Sequence, residues 1–308
     1  MKTTEEGVQP IVKQEVSKSQ LWYAAIKPPM YTVAVIPVSF GTALAYRETG
    51  EFHLTVYIVF LLSAICIIAW LNLSNDVFDS ETGVDVNKAH SVVNLTGNAS
   101  LVFAISNIFL LLGLGGVFLI NLWLEDWTVL SLIVLCCFLG YAYQGPPFRL
   151  GYVGLGEIIC LVTFGPLAIA AAYYSQAKNF SFGSLIASSL IGLSTAIILL
   201  CSHFHQVKDD LAAGKKSPIV RLGTATGARV LTVAVVLFYI LSVIFVLLKI
   251  LPYVSLIVLF SIPTAWKLIH HVNTYHAQPE KVQNSKFLAV NFHFLSGLLL
   301  SISLISHN

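Results

Sequence analysis

Two carboxylates three residues apart, directly after a long apolar run, are the first feature of the sequence that could do chemistry. Asp76 and Asp79 follow the run that ends at Leu73, and four of the 15 acidic residues of the chain fall within residues 76–85. If the apolar helix continues, both carboxylates lie on one face and repel each other unless a cation lies between them. Oxygen ligands with room for water and phosphate favour Mg²⁺ over zinc or copper, and Asn75 can add an amide oxygen.

A second polar loop, residues 203–223, combines carboxylates with cations. Gln206 and Asp210 are four residues apart and would share a helix face. Lys215 and Arg221 suit a phosphate-rich ligand, Lys as a point charge and Arg through paired hydrogen bonds. The mixture indicates a metal diphosphate as the ligand. A solvated acidic loop that ends a helix is the alternative for the first cluster, and the positive-inside pattern alone would explain only the lysines of the second.

The third polar segment, residues 141–157, contains a Gly-Pro-Pro sequence that favours a rigid, extended turn. Glu157 opens the next apolar run, where an acid is costly unless it is paired or hydrated, so a functional role is the default interpretation. Arg149 is its nearest candidate partner in the sequence, and a carboxylate that merely reaches water at the interface is the alternative. His203 and His205, which end another apolar run, are interpreted as structural.

The composition shows which kind of element must position these residues. The chain has 308 residues, of which 56% are hydrophobic and 10% charged, and its mean hydropathy is +0.81. This balance indicates lipid as the solvent, and a net charge of +2 is too small to indicate a nucleic-acid partner. The five cysteines lie in apolar runs without metal-ligand or disulfide spacing, so we interpret them as packing residues.

Nine uncharged runs are long enough to predict membrane-crossing helices, and no strand-like alternation accompanies them. The runs are residues 28–46, 52–75, 100–122, 127–145, 155–175, 184–206, 230–248, 250–266 and 287–305.

The basic residues predict the orientation of these spans. With the amino terminus in the cytosol, Arg47, Lys178 and Lys249 fall outside and the other 14 of the 17 basic residues fall inside. All three polar segments then lie on the cytosolic side. Residues 1–20 are predicted to be a flexible cytosolic tail, and residues 21–308 a single transmembrane domain.

The polar segments together resemble the UbiA superfamily of intramembrane aromatic prenyltransferases, from about Trp22 to the carboxyl end. Within it the chain resembles the 1,4-dihydroxy-2-naphthoate prenyltransferases, and residues 90–97 and 143–149 look most similar to the cyanobacterial, phytyl-transferring members. The other motifs that carry the resemblance are Lys27-Pro28-Pro29, residues 75–85, Leu155-Gly156-Glu157, Phe164-Gly165-Pro166-Leu167, residues 212–215 and Arg221-Leu222-Gly223.

The resemblance implies an all-α membrane protein with nine transmembrane helices in a UbiA-like bundle and an active site at its cytosolic face. It implies Mg²⁺-dependent transfer of a phytyl or other prenyl group from its diphosphate to 1,4-dihydroxy-2-naphthoate, with loss of CO₂ and diphosphate, in phylloquinone synthesis. Membrane lipid would surround the chain, in a bacterial inner membrane or a cyanobacterial thylakoid.

Several alternatives remain open at this point. Other donors are geranylgeranyl or farnesyl diphosphate, and other acceptors are homogentisate or 4-hydroxybenzoate, as in menaquinone, tocopherol or plastoquinone synthesis. A secondary transporter is a rival from another class, although its charges would be expected at the bilayer midplane and not at the interface.

The predicted site divides into four groups of residues. The metal ligands are Asn75, Asp76, Asp79, Gln206 and Asp210, and the catalytic carboxylates are Asp76, Asp79, Asp85, Glu157 and Asp210, with Asp85 or Glu157 as the proton acceptor. The diphosphate-binding residues are Lys27, Asn75, Lys88, Arg149, Lys215 and Arg221. The aromatic residues that stabilise an allylic cation are Tyr141, Tyr143, Phe148 and Tyr152.

One position departs from the family pattern. Relatives often carry Asp-x-x-x-Asp in the second loop, where this chain has Gln206 and Asp210. Either Asp209 substitutes for the missing carboxylate, or phosphate and water hold the second metal ion.

Overall fold

The structure, a computed structural model, describes residues 18–84 and 91–306, and within them the chain is built from helices. Short 3₁₀ helices cover Pro28–Tyr31, Leu150–Val153 and Tyr253–Ser261, and a π-helical turn covers Thr163–Leu167. The α-helices are α1 Lys18–Ile26, α2 Thr32–Thr49, α3 Leu54–Thr82, α4 Val92–Thr96, α5 Ala99–Leu124, α6 Thr128–Gln144, α7 Gly156–Val162, α8 Ala168–Ala177, α9 Phe182–His203, α10 Val207–Ala212, α11 Pro218–Leu222, α12 Thr224–Leu247, α13 Ile262–Tyr275, α14 Pro279–Val282 and α15 Ser285–Ile305.

Eight helical segments within the described residues are long and apolar enough to cross a membrane. They are Ser19–Thr49, Leu54–Thr82, Ala99–Leu124, Gly156–Ala177, Phe182–His203, Thr224–Leu247, Tyr253–Tyr275 and Pro279–Ile305. The prediction of spans is therefore confirmed for eight of the nine runs. The remaining run, 127–145, forms α6, whose 17 residues rise about 26 Å, somewhat less than a typical hydrocarbon core of about 30 Å.

The first described helix starts inside the segment that the sequence predicts to be a tail. Helix α1 begins at Lys18, so the last three residues of the predicted tail are helical. Residues 1–17 lie outside the described part of the chain, as do Asp85 and Lys88 of the predicted site.

Two large apolar clusters hold most of the bundle together, and a small third cluster joins α1, α3, α4 and α5. The larger joins α2, α9, α12, α13 and α15 around Phe40, Phe238 and Phe292, which are fully buried. The smaller joins α2, α3, α5, α6 and α8 around Phe60 and Trp70. Packing of these buried apolar faces therefore sets how the long helices lie against one another.

Helix α7 and the π-helical turn that follows it approach α9 closely enough for backbone to contact backbone. A Cβ on Gly165 would lie 3.0 Å from the Cα of Gly192, and a Cβ on Gly192 would overlap the carbonyl oxygen of Leu161. Glycine is required at both positions because any side chain would separate the helices. The contact fixes the distance between the start of α7 and the end of α9.

At the bundle end opposite the three polar segments, hydrogen bonds join helix ends to one another and to the adjoining loops. Glu48 accepts from the hydroxyls of Tyr173 (2.6 Å) and Ser181 (2.8 Å). Asp126 accepts from the hydroxyl of Tyr174 and the backbone N–H of Thr128, both at 2.7 Å. The pKa of Asp126 is lowered, because these two residues donate hydrogen bonds that favour the carboxylate.

Candidate active site

A cavity of about 460 Å³ opens among the helix ends that carry the three polar segments and continues between the helices. Polar side chains line one end: Lys27, Asn72, Asn75, Asp79, Tyr143, Gln144, His203, His205, Gln206, Asp209, Lys215, Gln283 and Lys286. Apolar side chains of α2, α3 and α6 line the remainder, as far as Val38 and Phe60. Asp79 and Phe60 are 19 residues apart on α3, which corresponds to about 28 Å of helix. The cavity can hold a ligand with a charged head and a long apolar tail.

Helix α3 carries the first acidic cluster, and its continuation past the apolar run is confirmed. It ends only at Thr82, where Gly83 adopts a left-handed conformation with a φ of 77°. The two carboxylates nevertheless have different surroundings. Asp79 lines the cavity and accepts a hydrogen bond from Asn75 Nδ2 at 2.9 Å. Asp76 is 1% exposed and does not line the cavity.

The Asp76 carboxylate is bound by the protein itself. Its Oδ1 lies 3.1 Å from Lys27 Nζ, and its Oδ2 accepts from the backbone N–H of Val92 at 2.9 Å. Lys27 lines the cavity and has a left-handed backbone with a φ of 53°, between α1 and the following 3₁₀ helix. Asp76 therefore holds the Lys27 ammonium group at the polar end of the cavity.

The side chains of the second acidic loop also differ in whether they line the cavity. Gln206 and Asp209 line the cavity, whereas Asp210 is fully buried and does not line it. Neither Asp210 oxygen accepts a hydrogen bond within the described residues, although Lys215 Nζ lies 3.4 Å from Oδ1. Lys215 lines the cavity. Each of the two buried carboxylates, Asp76 and Asp210, therefore lies next to a lysine whose side chain lines the cavity.

The loop 145–155 lies between the end of α3 and the second acidic loop and makes side-chain contacts with both. Arg149 Nη2 lies 3.6 Å from Glu81 Oε2, and the Tyr152 hydroxyl donates to Thr82 Oγ1 at 2.6 Å. Burial raises the pKa of Tyr152, and the nearby carboxylates of Asp79 and Asp210 also oppose its ionisation, so it remains a donor.

Arg221 fastens this loop from the other side, with Nη2 donating to the carbonyl of Val153 at 2.7 Å and Nε to that of Lys216 at 3.0 Å. Arg149 and Arg221 do not line the cavity. In the structure they hold the three polar segments together.

Of the four predicted aromatic residues, Tyr143 lines the cavity. Tyr141 packs edge-on against Phe78 with ring centroids 5.7 Å apart, and its hydroxyl donates to the carbonyl of Pro146. Phe148 is 48% exposed and packs against Phe138. Tyr143 is thus the predicted ring that the structure brings to the polar end of the cavity.

Glu157 does not pair with Arg149, and that prediction was wrong. Its Oε1 lies 3.0 Å from Nδ1 of His203, across 46 residues of sequence. Arg149 turns instead toward Glu81. The partner of Glu157 is set by the packing of α7 against α9, which nearest spacing in the sequence does not report.

Sequence reasoning missed several polar residues of the cavity wall: Asn72, Gln144, His203, His205, Gln283 and Lys286. A signal existed for Asn72, because it lies one helical turn before Asn75 and two before Asp79. Gln283 and Lys286 come from the start of the last span, and only the tertiary fold brings them to the cavity.

The donor set of the cavity fits a hard divalent cation. Asn75, Asp79, Gln206 and Asp209 all offer oxygen atoms at its polar end. In the described ranges, no three His, Cys, Asp or Glu side chains cluster closely enough to hold a metal ion by themselves. Mg²⁺ usually keeps several waters and takes one or two carboxylates together with phosphate oxygens, so this arrangement suits it.

Comparison with known proteins decides the family. The model of the UbiA prenyltransferase family matches residues 34–296. The chain belongs to the UbiA prenyltransferase family. It is therefore a prenyltransferase and an integral membrane protein, as its apolar helices indicate.

Among its relatives, a protein of Synechocystis sp. named 2-carboxy-1,4-naphthoquinone phytyltransferase is 64% identical over 282 residues, 92% of each chain. The chloroplastic protein of the same name from Arabidopsis thaliana is 40% identical over 301 residues, covering 95% of this chain and 79% of the relative.

The fold also matches that of solved UbiA homologues. A homologue from Archaeoglobus fulgidus aligns with a TM-score of 0.66 at 17% identity, over 93% of this chain and 99% of that one. The same homologue bound to GPP and Mg²⁺ aligns with a TM-score of 0.61, also at 17% identity and over the same shares of the two chains. The predicted UbiA-like bundle is thereby confirmed. The inside–outside orientation of the spans stays a prediction.

Proposed function

We propose that this prenyltransferase transfers a phytyl group from phytyl diphosphate to 1,4-dihydroxy-2-naphthoate, as a step of phylloquinone synthesis. The allylic C–O bond of the donor breaks and both electrons leave with the diphosphate. The ring carbon that bears the carboxylate forms the new C–C bond, and CO₂ departs and leaves its bonding electrons in the ring. The reactants and products balance without a further oxidant, reductant or proton donor.

One observation carries this proposal: a single cavity joins a charged end to an apolar channel that follows α3 for about 28 Å. A prenyl diphosphate has the same division into a charged head and a long apolar tail. The names of relatives that are 64% and 40% identical support a phytyl tail and a carboxylated naphthalene acceptor, which those names give in its quinone form.

The charged end suits the diphosphate. Lys27 and Lys215 would contact its oxygens, and the buried carboxylates of Asp76 and Asp210 keep both ammonium groups in place. Asp79, Asn75, Gln206 and Asp209 would hold Mg²⁺, as the donor set allows. When bound, Mg²⁺ supplies positive charge that stabilises the leaving diphosphate. Asp85 and Lys88 remain proposed additions to this end.

The uncharged parts of the site suit the carbocation and the tail. The Tyr143 ring in the cavity wall can stabilise positive charge at the allylic carbon through its π-face. Helices α2, α3 and α6 would enclose the tail and exclude water, which would otherwise capture the cation. The polar end would face the cytosol of a cyanobacterium, in its inner or thylakoid membrane.

A direct assay tests the proposal. Purified protein in detergent with Mg²⁺ and 1,4-dihydroxy-2-naphthoate receives phytyl, geranylgeranyl or farnesyl diphosphate in separate reactions. We expect diphosphate release and a product with the mass of the decarboxylated phytyl adduct. Parallel reactions with homogentisate and 4-hydroxybenzoate serve as acceptor controls.

The outcomes separate the rival functions. Preferred transfer of another prenyl group, or onto another acceptor, would replace the proposed substrates while leaving the chain a prenyltransferase. No adduct from any combination, with a folded and inserted protein, would contradict the proposed reaction.

A further inference from the structure

Among the described residues, helices α3 and α6 bring three amide side chains to the wall of the cavity, and the protein itself uses two of them. Asn75 Nδ2 donates a hydrogen bond to Asp79 Oδ2 at 2.9 Å. Gln144 Nε2 donates to the backbone carbonyl of Leu71 at 3.2 Å. The third amide belongs to Asn72, which also lines the cavity.

The amide of Asn72 is not held by the protein in this way. Its Nδ2 atom is buried and makes no hydrogen bond within the described residues. A buried donor without an acceptor is unfavourable, so a ligand oxygen is expected to complete it. The terminal torsion of asparagine is soft and roughly two-fold, and a half-turn about it exchanges the amide nitrogen and oxygen. The side chain can therefore present either its N–H donors or its carbonyl acceptor to the cavity.

Asn72 lies at the border between the two parts of the cavity. Along α3 it is one turn from Asn75 and two from Asp79, about 4.5 Å and about 10 Å toward the apolar channel. Ile68 and Leu71 begin the apolar wall beside it. The bond that breaks in a prenyl diphosphate lies at the same kind of border, between a charged head and an apolar tail. Asn72 is therefore placed near the reacting carbon atoms.

The aromatic acceptor has to reach this border, because its ring carbon replaces the diphosphate on the allylic carbon. Apart from its carboxylate, the naphthalene ring can be oriented by hydrogen bonds only through its two oxygens. The oxygen at ring position 1 is adjacent to the carboxylate, whereas the oxygen at position 4 has no such neighbour and remains for the protein. This 4-oxygen is a hydroxyl in the dihydroxy form and a carbonyl in the quinone form that the names of the relatives give. An amide can pair with both.

We propose that Asn72 forms a hydrogen bond with the 4-oxygen of the aromatic acceptor and thereby orients the ring at the border between the charged end and the apolar channel. The inference rests on the proposed function, because it requires a naphthalene acceptor in this cavity. It separates Asn72 in role from Asn75 and Asp79, which would hold the metal ion. The unpartnered atom of Asn72 is a nitrogen that donates hydrogen bonds, and such an atom suits an oxygen of the acceptor and not a cation.

A second asparagine of the bundle provides a matched control. Asn121 on α5 is 3% exposed, and its Oδ1 is buried and makes no hydrogen bond within the described chain. Unlike Asn72, it does not line the cavity. Leucine at either position removes the amide and keeps a similar volume. Asn121→Leu therefore measures the general effect of removing a buried amide from this bundle.

Binding of two stable analogues tests the hydrogen bond directly. The dissociation constants of 4-hydroxy-2-naphthoate and 2-naphthoate, which differ only in the 4-oxygen, are measured with purified protein in detergent. Mg²⁺ and inorganic diphosphate are added to fill the charged end. We expect wild-type protein to bind the hydroxylated analogue at least about fivefold tighter. Asn72→Leu should bring the ratio of the two constants close to one, and Asn121→Leu should leave it as in wild type.

Turnover separates a role in acceptor binding from a structural one. With 1,4-dihydroxy-2-naphthoate as the acceptor, Asn72→Leu should raise the KM for the acceptor at least about fivefold and leave the KM for phytyl diphosphate within about twofold of wild type. A purely structural role would weaken both analogues equally and leave their ratio unchanged. Asn72→Ala replaces Asn72→Leu if the latter does not fold, because a smaller side chain in a cavity wall does not displace its neighbours.

Three results would overturn the inference. The first is equal binding of the two analogues by wild-type protein, and the second is a wild-type ratio in Asn72→Leu and Asn72→Ala. The third is a raised KM for the donor in place of the acceptor, which would assign Asn72 to the diphosphate. If wild-type protein prenylates a naphthoate and any of these results is found, only this inference fails. If it prenylates no naphthoate, the proposed function fails as well.

Discussion

The two ends of the helical bundle use carboxylates in opposite ways. At the end opposite the three polar segments, which the predicted topology makes the outer end, both oxygens of Glu48 and both oxygens of Asp126 accept hydrogen bonds from neighbouring residues of α8, Ser181 and Thr128. At the end that carries the polar segments, the inner end of the same prediction, Lys27 and the backbone of Val92 bind Asp76. Neither oxygen of Asp210 nor Oε2 of Glu157, however, accepts a hydrogen bond within the described chain. The outer carboxylates are complete within the protein and serve stability. The inner ones are arranged around cations, a histidine and a cavity, where a ligand is expected to complete the set.

The largest expected effect tests this contrast at one carboxylate from each end. Asp79→Asn removes a charge from the cavity wall, and we expect turnover with phytyl diphosphate to fall at least about 100-fold, because charge at the reacting centre is lost. Asp126→Asn is the matched change at the outer end and should keep more than about half of the wild-type turnover. The measurement is product formation at saturating Mg²⁺, with thermal unfolding as a check on folding. Equal losses of turnover in Asp79→Asn and Asp126→Asn would contradict the difference between the two ends.

The second effect concerns the buried ion pair of Lys27 and Asp76. Lys27→Met leaves the Asp76 carboxylate buried without its cation, which typically costs about 3–5 kcal/mol of stability. The double variant Lys27→Met/Asp76→Leu removes both charges and should recover part of that stability, since the Val92 N–H then lacks its acceptor. It should not recover turnover, since the cavity has lost the ammonium group. Thermal unfolding in detergent measures stability, and product formation measures turnover. If Lys27→Met unfolds at the wild-type temperature, the ion pair does not contribute to stability.

The smallest effect is the pH dependence of the outer end. Because the hydrogen bonds from Thr128 and Tyr174 lower the pKa of Asp126, the native state favours the carboxylate over the protonated acid. Its stabilising contribution is complete above the unfolded pKa of about 4 and is lost as pH falls through the lower native pKa. The stability difference between wild type and Asp126→Asn should therefore be constant near neutral pH and shrink in acid. A difference that grows on acidification would contradict the assignment.

Hydropathy and composition were sufficient to predict the helices, because a membrane-crossing helix is specified by local sequence alone. The same holds for the continuation of α3 through Asp79, which needs only the absence of a breaker before Gly83. Lys27, Asn75 and Lys215 could be assigned to the polar end because they follow or precede apolar runs on one predicted side.

The pairing of side chains across the bundle could not be predicted in this way. Asp76 and Asp79 are the same residue type and lie three positions apart in the sequence. Lys27 and the backbone of Val92 nevertheless bind Asp76, whereas Asp79 lines the cavity. Glu157 finds its partner 46 residues away in His203 because α7 and α9 are in contact. Such pairs depend on helix rotation and separation, which no single segment encodes.

The contact between Glu157 and His203 depends on a glycine contact between α9 and the π-helical turn that follows α7. Gly165 and Gly192 touch through their backbones, some two to three turns away from Glu157 and His203. The hydrogen bond between Glu157 and His203 therefore depends on the absence of two methyl groups at a distance. An alanine at either glycine would separate the two segments, so a change in the middle of the bundle would lengthen a contact at the wall of the cavity without touching either of its residues.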